Sequence, residues 1–257
     1  MGRFFTVDIS PNVNNGAATG TAFANRDLIF DWHEFKIPKG TASLVSVFIK
    51  IAGHDGAATS SPGNIDLFFA KTIDEQAPTS LGTTHANVSD SLALFSRNNI
   101  IGRHTMAQAG AIDNLGLTAY STYSSSSASS SFDGSPLILS GEPESVIDGF
   151  QKLYLAAFAT GSNLDFGTAV ASNEDGSANV AADTTGNSVV LKTSGTNPIK
   201  CFAVGDTLVG STGGPTMEVV SIDSATQITV KNITEQIDNA EVLVPLNPLK
   251  FTLGFQY

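Results

Sequence analysis

Along most of the chain, apolar residues recur at every second position in short runs separated by Gly, Pro, Asn and Asp. That period belongs to strands with one buried face, not to helices. Phe4-Phe5-Thr6-Val7-Asp8-Ile9 is the first such run, closed by Pro11 and an Asn/Gly-rich stretch over 12–20. A second run covers 28–35, with Pro38-Lys39-Gly40 as the turn after it. In the third, Val45, Val47, Ile49 and Ile51 fall on one face and Leu44, Ser46, Phe48 and Lys50 on the other, as for a strand with one face buried and the other partly covered. Residues 65–70 read as a buried strand and 74–87 as a long polar connection. Over 89–118 the alternation lapses, and 91–95 and 106–111 read as loops with short helical turns. Leu137-Ile138-Leu139 then leads into a turn-rich segment over 141–149.

Two further apolar strands, Leu153-Tyr154-Leu155-Ala156-Ala157-Phe158 and the closing Leu249-Lys250-Phe251-Thr252-Leu253-Gly254-Phe255, are separated by a segment with a pattern of its own. Residues 165–185 hold few large apolar groups and read as an exposed linker or wide hairpin. Five short strands follow at close spacing, over 188–192, 202–209, 217–222, 227–231 and 241–244. Such spacing predicts a small barrel or two-sheet unit, with Ile228 and Val230 facing inward and Gln227, Thr229 and Lys231 outward. A unit can be inserted at a strand connection when the host's two ends are close and exposed. The expectation is therefore an all-β chain: a β-sandwich host over 1–164 plus 246–257, and a small β-barrel domain over 165–245 inserted before the last strand.

Composition narrows the roles. Charged residues are 14% of the 257, below the roughly 25% usual for soluble domains, and Ser, Thr, Asn, Ala and Gly fill the difference. The net charge is −11, which repels phosphate backbones and argues against nucleic-acid binding. Cys201 is the single cysteine, so no intramolecular disulfide is expected, and it reads as a core thiol. Nothing approaches the ~20-residue apolar run of a membrane-spanning helix, and no secretory leader pattern is evident. Membrane association is not expected, and synthesis in a cytoplasm is the simplest reading.

A search for chemistry returns little. His33, His54, His85 and His104 lie far apart, without i, i+2 or i, i+4 pairs, so no metal site is expected. Gly210-Ser211-Thr212-Gly213-Gly214 lies between two strands and lacks the Lys and helix of a phosphate loop, so it reads as a hairpin turn. Asp31, Glu34, Asp66, Asp74 and Glu75 supply acids for a glycosidase pair, but nothing in their spacing selects one. Asn173-Glu174-Asp175-Gly176 lacks the alternating ligands of a calcium loop. No catalytic residue, cofactor or metal is assigned. The low-complexity run over 121–131, flanked by Tyr120, Tyr123 and Phe132, cannot bury much surface alone: it reads as a flexible surface loop or, in the sharper reading, as a β-ribbon or arm ordered against another subunit. With the N-terminal arm over 2–20, it supplies the candidate partner contacts: Phe4, Phe5, Val7, Tyr120, Tyr123 and Phe132.

The stretch Val204-Gly205-Asp206-Thr207-Leu208-Val209, Met217-Glu218-Val219-Val220-Ser221-Ile222-Asp223-Ser224 and Gln227-Ile228-Thr229-Val230 resembles small barrel modules embedded in tailed-phage virion proteins. The segments 30–40 and 64–71, which include Trp32 and Phe68-Phe69, are similar to jelly-roll decoration or fibre-type proteins of marine bacteriophages. The resemblance implies a jelly-roll host and a non-enzymatic structural role in a virion. It places a capsid decoration or cement protein first and a tail or fibre adhesin for a host-surface glycan, stacking on Trp32, second. The implied partners are the major capsid protein or other virion proteins and further copies of the chain in a small cyclic oligomer, a trimer among the options.

Overall fold

The computed structural model describes residues 3–13, 22–52, 62–85, 87, 96–108, 111–112, 118–123, 137–142, 149–161, 164–166, 170–172, 179–194, 201–210 and 214–257. Its elements are strands in antiparallel sheets, with helical backbone among the described residues only at Ser96, Arg97, Gln108 and Cys201. Nine strands precede the barrel segment: β1 (Phe4–Ile9), β2 (Leu28–Pro38), β3 (Thr41–Ile51), β4 (Asn64–Lys71), β5 (Asn99–Met106), β6 (Ala111–Ile112), β7 (Thr118–Tyr123), β8 (Leu137–Ser140) and β9 (Phe150–Thr160). Six follow within it: β10 (Val170–Ser172), β11 (Val189–Ser194), β12 (Thr207–Gly210), β13 (Thr216–Ser224), β14 (Gln227–Lys231) and β15 (Val242–Pro245). The last strand is β16 (Leu249–Gln256).

One sheet has the order β1-β16-β3-β7-β6, with β8 also pairing β3, and a second has the order β2-β9-β4-β5. They pack face to face as a sandwich, because each strand presents alternate apolar residues to the space between. Leu67 and Phe69 of β4, Leu155 of β9 and Ile37 of β2 meet Ile49 and Ile51 of β3 and Leu253 of β16 in one buried cluster. Aromatic rings cross between the sheets: Phe30 lies edge-on to Phe251 at 5.5 Å, and Phe35 stacks near Phe255 at 6.3 Å.

Strand β3 departs from the simple alternation of its sequence. Its pairing with β16 shifts between Gly254↔Ser46 and Phe255↔Leu44, leaving Val45 as the extra residue of a bulge. Parity reverses there: Ala42 and Leu44 are buried before it, and Val47, Ile49 and Ile51 after it. Leu44 thus belongs to the core, not to the face of Phe48 and Lys50, because one added residue turns the side-chain period over.

Over 89–118 the expectation of loops is corrected for 99–106. Strand β5 pairs β4 from Ile65↔Met106 to Lys71↔Asn99, with a shift between Phe69 and Ala70. Its sequence, Asn-Ile-Ile-Gly-Arg-His-Thr-Met, has no apolar alternation of its own. It is a strand because β4 supplies an open ladder beside it, and burial of His104 and Met106 completes the core. Residues 91–95 lie outside the described residues.

Strands β10 to β15 close into a barrel of order β10-β11-β14-β13-β12-β15. Its interior holds Leu191, Leu208, Met217, Val219, Ile228, Val230 and Leu243, with Cys201 buried against them. Ile228 and Val230 face inward as the alternation required. The barrel has six strands where five were expected: β10, from the segment read as linker, pairs both β11 and β15 and so closes the ring. The run expected from 202 begins only at Thr207, because Ala203 to Asp206 forms a turn. Ala203 N donates to Asp206 Oδ2 at 2.7 Å, and Gly205 takes φ 89°, a conformation open to glycine at little cost.

Between barrel and sandwich the chain is tied at both passages. Phe23 and Leu164 exchange backbone bonds of 2.7 and 3.2 Å on the way in. On the way out Val13 N donates to Leu246 O at 3.0 Å, Asn247 Nδ2 to Ser10 O at 2.9 Å, and Lys250 lies 3.6 Å from Asp206. We expect Phe251→Ala to cost about 3–5 kcal/mol, since a fully buried aromatic bridging two sheets leaves a cavity neither can close. Urea unfolding monitored by circular dichroism measures this.

Candidate interaction surface

The two outer faces of the sandwich are treated differently by the chain. Behind β2-β9-β4-β5, Leu81 packs on Leu28, Ala156 and Phe158, with Trp32 and Phe68 at the margin, a satellite cluster under a long loop. The loop is fastened by polar bonds. Asp31 Oδ1 accepts from Leu81 N at 3.0 Å and Trp32 N at 2.8 Å, Trp32 Nε1 donates to Thr79 O at 3.1 Å, and Asn98 exchanges bonds of 2.7 and 2.9 Å with Thr79.

Acidic side chains on that sheet are engaged in the same way. Buried Asp66 accepts from Arg103 at 2.7 Å and Thr105 at 2.5 Å. Glu34 accepts from Lys152 at 3.0 Å and Tyr154 at 3.3 Å, and burial together with the Glu34 charge and hydrogen bond pushes the Tyr154 phenol up to about 12. Three of the five carboxylates considered for a glycosidase pair, Asp31, Glu34 and Asp66, therefore each hold a structural partner.

The outer face of the other sheet carries no such cover among the described residues. Three large apolar side chains stand exposed on it: Phe4 (71%), Ile138 (61%) and Phe48 (42%). Strand register sets their positions. Phe4, Gln256, Ser43 and Ile138 form one row across β1, β16, β3 and β8, and Asp8, Thr252 and Phe48 form another. Beyond the second row Lys250 lies directly opposite Lys50, a like-charge pair that costs stability unless an anion lies nearby. Lys250 reaches Asp206. A depression of about 280 Å³ is lined by Asp8, Phe48, Lys50, Lys250 and Thr252. Phe48 and Lys50 share the outward positions of the 45–51 alternation, and that was the sequence signal for them; Ile138 and the Lys50/Lys250 apposition had none.

Of the contact residues expected from sequence, Phe4 projects from this face. Phe5 turns inward, stacking on Phe255 at 5.2 Å and meeting Tyr257 edge-on at 5.6 Å, and Val7 packs against the core beside it. The N-terminal segment is therefore an edge strand of the sheet, paired with β16 along its whole length, and Ile9 and Val13 are core residues. Tyr120 and Tyr123 stand on β7, opposite Ile49 and Ser46, so β1 and β7 flank the β16/β3 pair from either side. Phe132 and 124–131 of the serine-rich run lie outside the described residues, and its first residues, 121–123, are strand in β7 and not loop.

The described histidines do not converge. His33 is half-buried beside Glu34, and its pKa is lowered by burial against the opposing pull of Glu34. His85 stacks on Phe23 at 3.8 Å, and burial lowers its pKa against the pull of Asp27. His104, opposite Leu67, faces the sandwich interior. Among the described residues no group of three or more His, Cys, Asp or Glu is placed to hold a metal. His54 and 173–176 lie outside them. Gly210 N donates to Pro215 O at 2.9 Å between paired β12 and β13, so the glycine-rich segment joins a hairpin.

No protein-family model matches the chain, and no curated protein matches it. Among solved structures, the crystal structure of infectious bursal disease virus VP2 subviral particle aligns at 7% identity and a TM-score of 0.17, over 99% of this chain and 40% of that one. The chain thus spans less than half of that protein, and a likeness at this level carries no argument.

Burial holds the His104 imidazole down to about 4, against the pull of Asp66. Its folded pKa lies below the unfolded 6.5, so its neutral form is compatible with the fold above pH 6.5, and stability falls as pH drops from there through about 4. The loss amounts to about 3 kcal/mol. Urea midpoints compared between pH 7 and pH 4 should show this loss, and His104→Leu should shrink it.

Proposed function

We propose that the chain is a non-enzymatic virion structural protein, a capsid decoration or cement subunit that binds the assembled shell. The observation carrying this reading is the outer face of the β1-β16-β3 sheet, which no loop covers among the described residues, with Phe4, Phe48 and Ile138 exposed beside Lys50 and Lys250. A rigid sandwich that covers one outer face with its own loop, and on the other sets exposed Phe4, Phe48 and Ile138 among small uncharged polar residues, suits a protein that adheres. The acids on the covered sheet are committed to structural bonds, and that supports a binding role over turnover.

The strand order supports a jelly-roll host. If β6 to β8 are taken as one arm and the barrel strands are set aside, the pairs β1·β16, β2·β9, β3·β7 and β4·β5 nest inside one another. A long antiparallel ribbon rolled across itself gives this nesting, the double Greek key found in viral capsid and lectin domains. In this reading the barrel is a domain inserted between the last two host strands. Role is argued from the surface, since one fold serves many functions. The fitting partner is the major capsid protein, its acidic groups opposite Lys50 and its apolar groups against Phe48, with several copies of this chain multiplying weak contacts.

The second reading, a glycan-binding adhesin, rests on a cleft of about 260 Å³ where Trp32, His33 and Asp31 meet Asn12 and Thr84. Quantitative mass spectrometry of purified particles separates the two readings. Hundreds of copies per particle support cement, tens at a tail support the adhesin, and absence from particles removes both. In the cement reading, Phe48→Asp with Lys50→Glu should lower shell occupancy at least about tenfold while the fold persists, because both the apolar anchor and the cation are reversed.

A further inference from the structure

Strand β2 ends its sheet, and its register against β9 shifts twice, between Leu28 and Phe30 and again between Phe30 and His33. A regular strand turns successive side chains to opposite faces, yet four consecutive residues, Phe30 to His33, line one cleft of about 260 Å³. The two bulges re-aim them, as bulges do beside binding sites. Asn12, Gly82 and Thr84 form the other walls. Several polar groups here are left over once the structural bonds are assigned. Asp31 commits Oδ1 to Leu81 N and Trp32 N and keeps Oδ2. Asn12 Oδ1 accepts from Asn247 Nδ2 at 2.8 Å, which leaves the Asn12 Nδ2 donor unused. The His33 imidazole and the Thr84 hydroxyl make no hydrogen bond among the described residues. Burial keeps His33 neutral at pH 7, so its ring offers one donor and one acceptor. Between these groups Trp32 is held still, by its Nε1 bond to Thr79 O and by packing on the satellite cluster.

We propose that this cleft binds one neutral pyranose ring, free or as the end of a glycan, with its C–H face on Trp32 and its hydroxyls on Asp31 Oδ2, His33, Asn12 Nδ2 and Thr84. The chemistry of the walls selects that class. An aromatic plane with a few convergent polar groups, both donors and acceptors, matches a ligand that has an apolar face and a rim of hydroxyls. An acidic sugar is disfavoured, because no Lys or Arg lines the cleft, Asp31 does, and the chain carries a net charge of −11. An ammonium ligand would satisfy Asp31 and leave the Asn12 amide without an acceptor, which costs affinity in an enclosed site. The size of the cleft, below that of drug-sized pockets, fits a single ring and not a longer segment. The inference rests on the cleft of the adhesin reading and supplies its ligand class. It is independent of shell binding through the Phe48 face.

Trp32 is the single tryptophan of the chain, so its fluorescence reports the cleft directly. The full chain is titrated with the methyl glycosides of glucose, galactose and mannose, with glucuronate and choline as charged comparators. The expected result is a saturable change with at least one neutral glycoside, at a Kd on the order of 1 mM or tighter, and weaker binding of both charged probes. Asp31→Asn keeps the Oδ1 acceptor for Leu81 and Trp32 and replaces only Oδ2, and should weaken binding at least about tenfold. His33→Phe and Thr84→Val remove groups that hold no structural bond, and each should weaken it about threefold to tenfold. Circular dichroism and the unliganded emission spectrum confirm that each variant keeps its fold and loop. No saturable change with any of the three glycosides, tighter binding of glucuronate or choline, or binding indifferent to all three variants would each overturn the proposal. Particle copy number tests the adhesin reading by itself: a tail protein present in tens of copies that binds none of these glycosides would lose the ligand class and keep the location.

Discussion

The last strand must thread back between β1 and β3, and the rest of the fold depends on that closure. β16 bonds β1 over Phe4↔Gln256 to Ile9↔Phe251 and β3 from Leu249↔Ile51 to Gln256↔Ser43. Without it β1 has no partner in its sheet, β3 loses one of its ladders, and Phe251 and Phe255 no longer meet Phe30 and Phe35 of the facing sheet. These contacts join residues about 200 positions apart or more, so their loop-closure cost is met only by cooperative burial. The barrel lies within that loop. Its closure, and the bonds fixing Leu246 and Asn247 beside Val13 and Ser10, shorten the effective span that β16 must cross.

From this closure follows the asymmetry of the surface. The four-stranded sheet buries Leu28, Ala156 and Phe158 on its outer side and has to cover them, which it does with the loop holding Thr79 and Leu81. The sheet containing β16 carries Thr, Ser, Gly and Gln at most outward positions and tolerates water there, and its exposed residues Phe4, Phe48 and Ile138 stand out against that background. Scattered apolar residues are ordinary on a surface, but three on one face beside a pair of opposed lysines form a patch with a chemical character.

The closed ring and the open sheets also differ in how they treat their edges. A closed barrel has none to protect, whereas β1 ends its sheet and, among the described residues, no strand pairs with its outer side. Both sites with consequence lie on the sandwich: the face that carries Phe4, and the cleft at Trp32 on β2, which likewise ends its sheet.

What the sequence determined by itself is the local character of the chain. The alternation over 4–9, 28–35, 45–51, 65–70 and 227–231 placed strands, because a period of two has one physical cause. The outward positions of Phe48 and Lys50 were legible for the same reason. The tertiary structure decided everything that depends on which strands meet. It made 99–106 a strand beside β4 despite an unpatterned sequence, and it reversed Leu44 to the core through a bulge that exists only opposite β16. It recruited β10 to close the ring, set Lys50 against Lys250, and turned Phe5 inward while leaving Phe4 free. Alternation marks the apolar face of a strand, but which strands it meets, where a bulge reverses its parity and which edge stays open depend on partners far along the chain, and no local pattern encodes them.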